Sequence, residues 1–174
     1  MVKSNRMKKV ILLAGAGGSG KSTLAELIQK KYGYTLLDGD HEDTEFFPKG
    51  GQWLPENADK LSQAHNKIVG KVQVLVEDGQ NVVVDYIIFG DYLNYFEKFK
   101  RMFGEDLQIV VLFPSEAQTV NRDLERECWT TGEDKIRKVR QALEGIKDQI
   151  GAEHFVDTSD QSVEQTFEML FGNQ

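Results

Sequence analysis

Short, wholly apolar runs alternate along this chain with longer stretches in which apolar residues return every three or four positions. Val10-Ile11-Leu12-Leu13-Ala14 is apolar throughout and stopped by glycine, which marks a strand buried on both faces. Leu24, Leu27 and Ile28 then share one face of a helix predicted over 20–31. Further strands are predicted over 34–38, 81–85, 109–113 and 154–157. Leu61, Ala64, Ile68, Val72 and Leu75 define a long amphipathic helix ended by Asp78-Gly79. Tyr92, Tyr95, Phe96 and Phe99 give the core face of another, stopped near Gly104. Ser115 reads as the N-cap of a helix carrying Arg122 and Arg126, with Glu116 in its first turn. One more helix is expected over 133–150 and a closing one over 162–171. Residues 39–56 show no clean period and exceed the usual connection, so that segment is expected to be functional or partly helical. Strand and helix alternate five times, which calls for a parallel sheet with helices on both faces and a single α/β domain over 1–174.

Composition narrows the classes without choosing one. The 174 residues suit one domain, and a hydrophobic fraction of 40% excludes a disordered chain. A net charge of −7, from 21 basic and 28 acidic residues, argues against nucleic acid or an acidic membrane as partner. The apolar run behind the basic start is too short for a secretion signal or a membrane span, so a cytoplasmic protein is expected, with residues 1–8 a flexible tail. The single cysteine, Cys128, has no internal disulfide partner and reads as a half-buried thiol on a helix, and no Cys/His cluster suits zinc.

Chemistry enters at the turn between the first strand and the first helix. Gly15-Ala16-Gly17-Gly18-Ser19-Gly20-Lys21-Ser22 satisfies two motifs at once. Gly15, Gly17 and Gly20 spell the dinucleotide-binding G-x-G-x-x-G, with Asp38 18 residues beyond Gly20 as the ribose acid. Gly15, Gly20, Lys21 and Ser22 spell the phosphate-binding G-x-x-x-x-G-K-[ST]. Lys21-Ser22 decides between them. A triphosphate needs a point cation and a hydroxyl for Mg²⁺, whereas a dinucleotide site requires neither. Glycines let successive N–H groups converge on phosphate at a helix start, so residues 15–23, Thr23 included, are the expected ATP-binding loop.

Leu37-Asp38-Gly39-Asp40 ends the second strand, on the side of the sheet where the loop lies. One such carboxylate can hold Mg²⁺ through water while the other takes a proton from an attacking hydroxyl. The plainer alternative is an acidic turn with Asp40 capping a following helix. Val82-Val83-Val84-Asp85 has the form of a strand ending in a Mg²⁺-orienting acid, or of an ordinary strand-end turn. Arg122 and Arg126, four apart, would project from one helix face. They would supply cations to a migrating phosphoryl group, although the same run also reads as ordinary charged surface. No arginine occurs between Arg6 and Arg101, so the intervening stretch lacks a bidentate fork for a carboxylate or phosphate. It offers His41, Glu42, Asp43, Glu45, Phe46, Phe47 and Trp53 instead, which suits a polyol, sugar or cationic compound better than a polyanion; each aromatic alone reads first as packing. Lys49, Lys60, His65 or Lys71 remain to meet a single carboxylate. His41 adjoins Asp40, while His65 (the carboxylate role aside) and His154 read as structural.

The run from Gly15 to Asp40 resembles small-molecule kinases of the shikimate kinase and gluconate kinase group, where a D-x-D follows the loop lysine at this spacing. The resemblance is specific in the first 40 residues and looser beyond them. It implies a P-loop three-layer sandwich, a five-stranded parallel sheet with a small lid, and Mg²⁺ and ATP as cofactors. By it, Asp40 would contact substrate hydroxyls and act as base, Asp38 would lie near Mg²⁺, and 41–71 would bind the acceptor. Lid arginines are placed after the fourth strand, which fits Arg122 and Arg126 and a lid over 122–134, and Asp157-Thr158-Ser159 resembles the nucleotide-base edge. Asp85-Tyr86-Ile87-Ile88-Phe89 is similar to chains of the gluconate kinase type and lacks the glycine triplet of shikimate kinases.

The expected activity is therefore transfer of the γ-phosphate of ATP to a hydroxyl of a small metabolite, a sugar acid or polyol, by a monomer or homodimer. Lys21, Asp38, Asp40, Arg122 and Arg126 would be catalytic, and Ser22, Asp38 and Asp85 would serve the metal. A nucleoside monophosphate kinase, a regulatory nucleotide-binding module and a dinucleotide-dependent oxidoreductase are the rivals.

Overall fold

Five apolar runs line up as parallel strands in the order β2-β3-β1-β4-β5 in a computed structural model, which describes residues 7–127 and 130–172. They are β1 (Val10–Ala14), β2 (Thr35–Asp38), β3 (Val82–Asp85), β4 (Leu107–Leu112) and β5 (Phe155–Val156). β1 is central, with Leu13 in register with both Asp85 of β3 and Val110 of β4. Its five side chains are buried, as are all four of β3, while the edge strands β2 and β5 are only half-buried.

Alternation along each strand sorts the core into two layers. Val10, Leu12, Val82, Val84, Ile109 and Val111 face α3 (Ala58–Glu77), α4 (Tyr92–Phe103) and α6 (Glu133–Gly145). Ile11, Leu13, Val83, Val110 and Leu112 face α1 (Lys21–Tyr32) and the terminal α8 (Val163–Phe171). Helices thus cover both faces of a five-stranded parallel sheet. Each fully buried aliphatic side chain in these layers contributes about 1.5–3 kcal/mol.

Local signals set the helix ends. Gly33, at φ +72°, closes α1 by donating its N–H to the carbonyl of Gln29. Ser115 caps α5 (Glu116–Leu124) by accepting from Gln118 N, and Ser162 with Gln165 forms a reciprocal capping box on α8. The segment expected to be partly helical contains α2 (Gly39–Glu42) and a 3₁₀ turn at Pro55–Asn57. Its Phe46 and Phe47 pack with Leu61 and Ala64 in a small separate cluster. The helix expected over 133–150 is two, α6 and α7 (Lys147–Ile150), parted at Ile146.

Three expectations need correction. α5 stops at Leu124, so Arg126 lies beyond the helix and does not share a face with Arg122. Met7 and Lys8, expected in a flexible tail, are held: Met7 packs on the core layer facing α1 and α8, and the Lys8 carbonyl accepts from the Tyr34 hydroxyl at 2.5 Å. Asp38, not Asp40, caps the short helix α2. Residues 1–6 and Cys128 lie outside the described residues. Among the described residues no helix is long and apolar enough to cross a membrane.

Candidate active site

The loop leaving β1 turns so that nothing but glycine fits at its tightest points. Gly18 has φ +78°, and a Cβ there would sit 2.5 Å from the Thr119 carbonyl and 2.9 Å from Asp123 N. A Cβ on Gly17 would run into the Thr131 side chain. Gly20 caps α1 with no side-chain acceptor, and α1 carries no acid in its first turn. The first N–H groups of a twelve-residue helix therefore open toward whatever anion occupies the cleft.

Lys21 is 4% exposed, and its Nζ donates to the Ala16 carbonyl at 3.0 Å and lies 3.5 Å from Ser19 Oγ. Burial lowers its pKa, opposed by the negative charges of Asp85 and Asp40 and assisted by Arg126. A desolvated ammonium held among carboxylates and loop carbonyls is poised for a stronger anionic partner. The cleft in front of it encloses about 370 Å³ and is lined by 17–24, Asp40, Asp85, Ile87, Leu112, Arg122, Arg126, Thr158, Gln161, Ser162, Val163 and Thr166. The exposed side chains of Ser22 and Thr23 border it. Gly15 and Ala16 do not line the cleft; Ala16 contributes the carbonyl that holds Lys21.

Two of the three expected acids reach this cleft. Asp85 is 7% exposed, and its Oδ1 makes no hydrogen bond among the described residues. A buried orphan carboxylate oxygen costs roughly 1–3 kcal/mol or more, so its persistence beside an anion-binding loop fits a hard cation. The Ser22 hydroxyl borders the same cleft, and both are hard oxygen donors of the kind Mg²⁺ takes. Among the described residues no group of three or more His, Cys, Asp or Glu could hold a metal ion. Asp40 sits across the cleft, its pKa pushed up to about 7 by burial and then by Asp85, Asp38 and Asp43, against the pull of Lys21. That value suits a group that must take up a proton near neutrality.

Asp38 is placed otherwise. Its Oδ1 accepts from Asp40 N at 3.0 Å and His41 N at 3.2 Å, and it borders a neighbouring groove with His41, outside the phosphate cleft. The Asp38 Oδ1 is taken up by this cap, and the residue does not line the cleft that holds Lys21.

The two arginines differ as well. Arg122 Nη2 donates to the carbonyls of Thr158 (3.2 Å) and Gln161 (3.3 Å), which fixes the loop after β5 at the cleft wall. Arg126 lines the cleft near Lys21, with Nη1 3.4 Å from Asp123 Oδ1. Of the Asp157-Thr158-Ser159 stretch, only Thr158 reaches the cleft, while Asp157 caps Ser159.

Two residues of this region gave no chemical signal in the sequence. Asp123, 1% exposed, accepts from Thr131 N at 3.0 Å and Gly132 N at 3.1 Å, closing the segment after α5 back on itself against the glycine loop. These bonds hold its carboxyl below the usual range despite burial. Thr131 then lies against Gly17. Within residues 41–71, Lys67 and Lys71 are bonded to Glu42, and Lys67 to Glu45 as well. Trp53 meets Phe89 edge-on and lies under Lys135 Nζ at 3.7 Å.

A glycine-rich loop, a buried lysine at the foot of an open helix start and a carboxylate at the end of the adjacent strand define a P-loop domain. A family model described as an AAA domain (AAA_33) matches residues 10–152, and the chain belongs to that family. No curated protein sequence matches significantly. Among solved structures, a sugar kinase from Janibacter sp. HTCC2649 is similar at TM-score 0.73 and 14% identity, covering 96% of this chain and 94% of its own. A gluconokinase from Sinorhizobium meliloti 1021 aligns at TM-score 0.63 and 23% identity over 96% and 93%. A shikimate kinase from Acinetobacter baumannii, in complex with shikimate, aligns at 0.63 and 16% over 97% and 95%. At these identities the likeness is one of fold: that of the P-loop kinases.

Proposed function

We propose that this chain is an ATP-dependent phosphotransferase acting on a hydroxyl of a small metabolite. The observation that carries the reading is the buried Lys21 ammonium facing Asp40 and Asp85 across one cleft. Loop N–H groups and Lys21 hold the β- and γ-phosphates. Asp85 and Ser22 hold Mg²⁺, which when bound neutralises charge on the phosphates. Asp40 receives the proton of the attacking hydroxyl as its oxygen bonds to the γ-phosphorus and the bond to the β-phosphate oxygen breaks, releasing ADP. Arg126 neutralises the transferring group, and Arg122 holds the nucleotide wall. Asp38 acts here only through the cap that orients Asp40. Such catalysis is positioning and charge neutralisation in a closed site.

For the acceptor, the chemistry of 41–71 favours a polyol or sugar, with a sugar acid next. Its lysines Lys67 and Lys71 are engaged by Glu42, and no arginine precedes Arg101 among the described residues. A cytoplasmic setting, where Mg-ATP is abundant, goes with this reading. Acceptor-dependent ADP release over a panel of polyols, sugars, sugar acids, aminoglycosides and nucleosides is the test. Lys21→Ala should abolish turnover, by about 10²-fold or more, while the chain stays folded. Unchanged turnover in that variant would remove the proposal.

A further inference from the structure

Asp40 is carried by a helix of four residues, α2, which is too short to hold itself in place. Its outer end is capped by the exposed Asp38 carboxylate. What holds the inner side is Tyr86, the residue immediately after Asp85. Tyr86 is fully buried, and a Cβ added to Gly39 would lie 2.6–2.7 Å from its Cγ, Cβ and Cδ2 atoms. The first residue of α2 therefore rests directly on the ring, and glycine is required there by contact. At the other end, the Tyr86 hydroxyl donates to Asp43 Oδ2 at 3.0 Å. Asp43 is 1% exposed and closes α2, its N–H donating to the Gly39 carbonyl at 3.0 Å. The other donor to that carboxylate is Gln52 Nε2, at 3.3 and 3.4 Å from its two oxygens.

From this geometry we infer that Tyr86 and Asp43 are positioning residues for Asp40, a clamp that grips α2 at both ends and ties its position to the strand bearing Asp85. The inference rests on the role proposed for Asp40. One side chain, Tyr86, sets the separation of the two acids across the cleft, because it follows one in the chain and grips the helix of the other. Tyr86 is itself braced by the rings of Tyr95 and His65, at 5.6 and 5.7 Å between centroids. Removing only its hydroxyl leaves the ring on Gly39 and leaves Asp43 a buried carboxylate short of a donor, free to draw α2 toward solvent.

The test is Tyr86→Phe in the full chain, assayed with Mg-ATP and the panel member giving the fastest ADP release. The expected result is a fall in kcat of about tenfold with KM for Mg-ATP within about twofold, because the loop and Lys21 are untouched. Asp43→Asn and the double variant Asp43→Asn/Tyr86→Phe complete a cycle. A clamp acting as a unit predicts that the double loses no more than the worse single, whereas multiplied losses overturn it. Wild-type kcat in Tyr86→Phe also overturns it. Asp40→Asn, run alongside, separates the two readings: wild-type turnover there removes the base, while loss there with none in Tyr86→Phe removes only the clamp. Amide exchange at 40–43 reads the clamp without any acceptor. Faster exchange in Tyr86→Phe supports it, and unchanged exchange overturns it.

Discussion

His65 lies on α3 with no exposed surface, its ring edge-on to Tyr86 and Tyr95 at 5.7 and 4.8 Å between centroids. Neither ring nitrogen has a hydrogen-bond partner among the described residues, and Asp91 Oδ2 comes no closer to Nδ1 than 4.0 Å. Burial pushes its pKa down to about 3, helped by the positive charge of Lys98. The imidazole is thus neutral in the fold at physiological pH, and the Asp91 contact is no ion pair. The sign of the linkage follows. With the folded pKa below the unfolded value near 6.5, the stability this residue contributes is complete above pH 6.5. It is lost as pH falls toward 3, because only the unfolded chain takes up the proton. By pH 5 the loss is roughly 2 kcal/mol, at 1.36 kcal/mol per unit. Urea unfolding at pH 7 and pH 5 should show that much more acid destabilisation in wild type than in His65→Leu. Equal losses in both proteins would show that His65 is not the acid-sensitive group.

α5 ends without glycine, proline or any charge reversal to announce it. It ends because Asp123 turns its carboxylate to the returning segment, where it accepts from Thr131 and Gly132. Asp123→Ala would leave those two N–H groups without their acceptor and Arg126 without its bond to Oδ1, while Thr131 loses what keeps it against Gly17. The expected outcome is a kcat lowered about tenfold, a raised KM for Mg-ATP and faster amide exchange at Thr131 and Gly132. Wild-type values of all three would remove the role given to Asp123. The same element shows where sequence reading stops. The glycine loop was legible because its function needs a local backbone path that few residues permit. The central strands β1 and β3 were legible because burial on both faces leaves unbroken apolar runs. Asp123 was hidden in Arg122-Asp123-Leu124-Glu125-Arg126, where a staple and a solvated helix face are written with the same residue types. Asp38 and Asp40 could both be placed near the cleft by their spacing. Which of them caps α2 depends on the approach of Tyr86 to Gly39, a contact between segments 47 residues apart.

Across the whole molecule, the cleft lies at the carboxyl ends of β1 and β3, where the chain first builds the sheet to one side of β1 and then crosses to place β4 on the other. Three cations, Lys21, Arg122 and Arg126, share this cleft with two acids, Asp40 and Asp85, so in a chain of net charge −7 the cations here outnumber the acids. Residues that meet there come from α1, α2, β3, α5 and the loop after β5, and unfolding would separate all of them. A ligand bound at such a junction stabilises the entire fold by mass action. At a hundredfold excess over its dissociation constant, Mg-ATP should add about 2.7 kcal/mol, or a rise of roughly 5–10 °C in melting temperature for a domain of this size. The nicotinamide dinucleotide, which makes no use of a lysine after the loop, should give no such rise. Lys21→Ala should lose the shift while keeping the unliganded melting temperature within a few degrees, since its buried ammonium costs desolvation that the fold alone does not recover. Chelation of the metal should diminish the shift in wild type, because the Asp85 carboxylate then faces the phosphates without a cation between them. A shift with the dinucleotide and none with Mg-ATP would turn the glycine loop back into the other motif it spells.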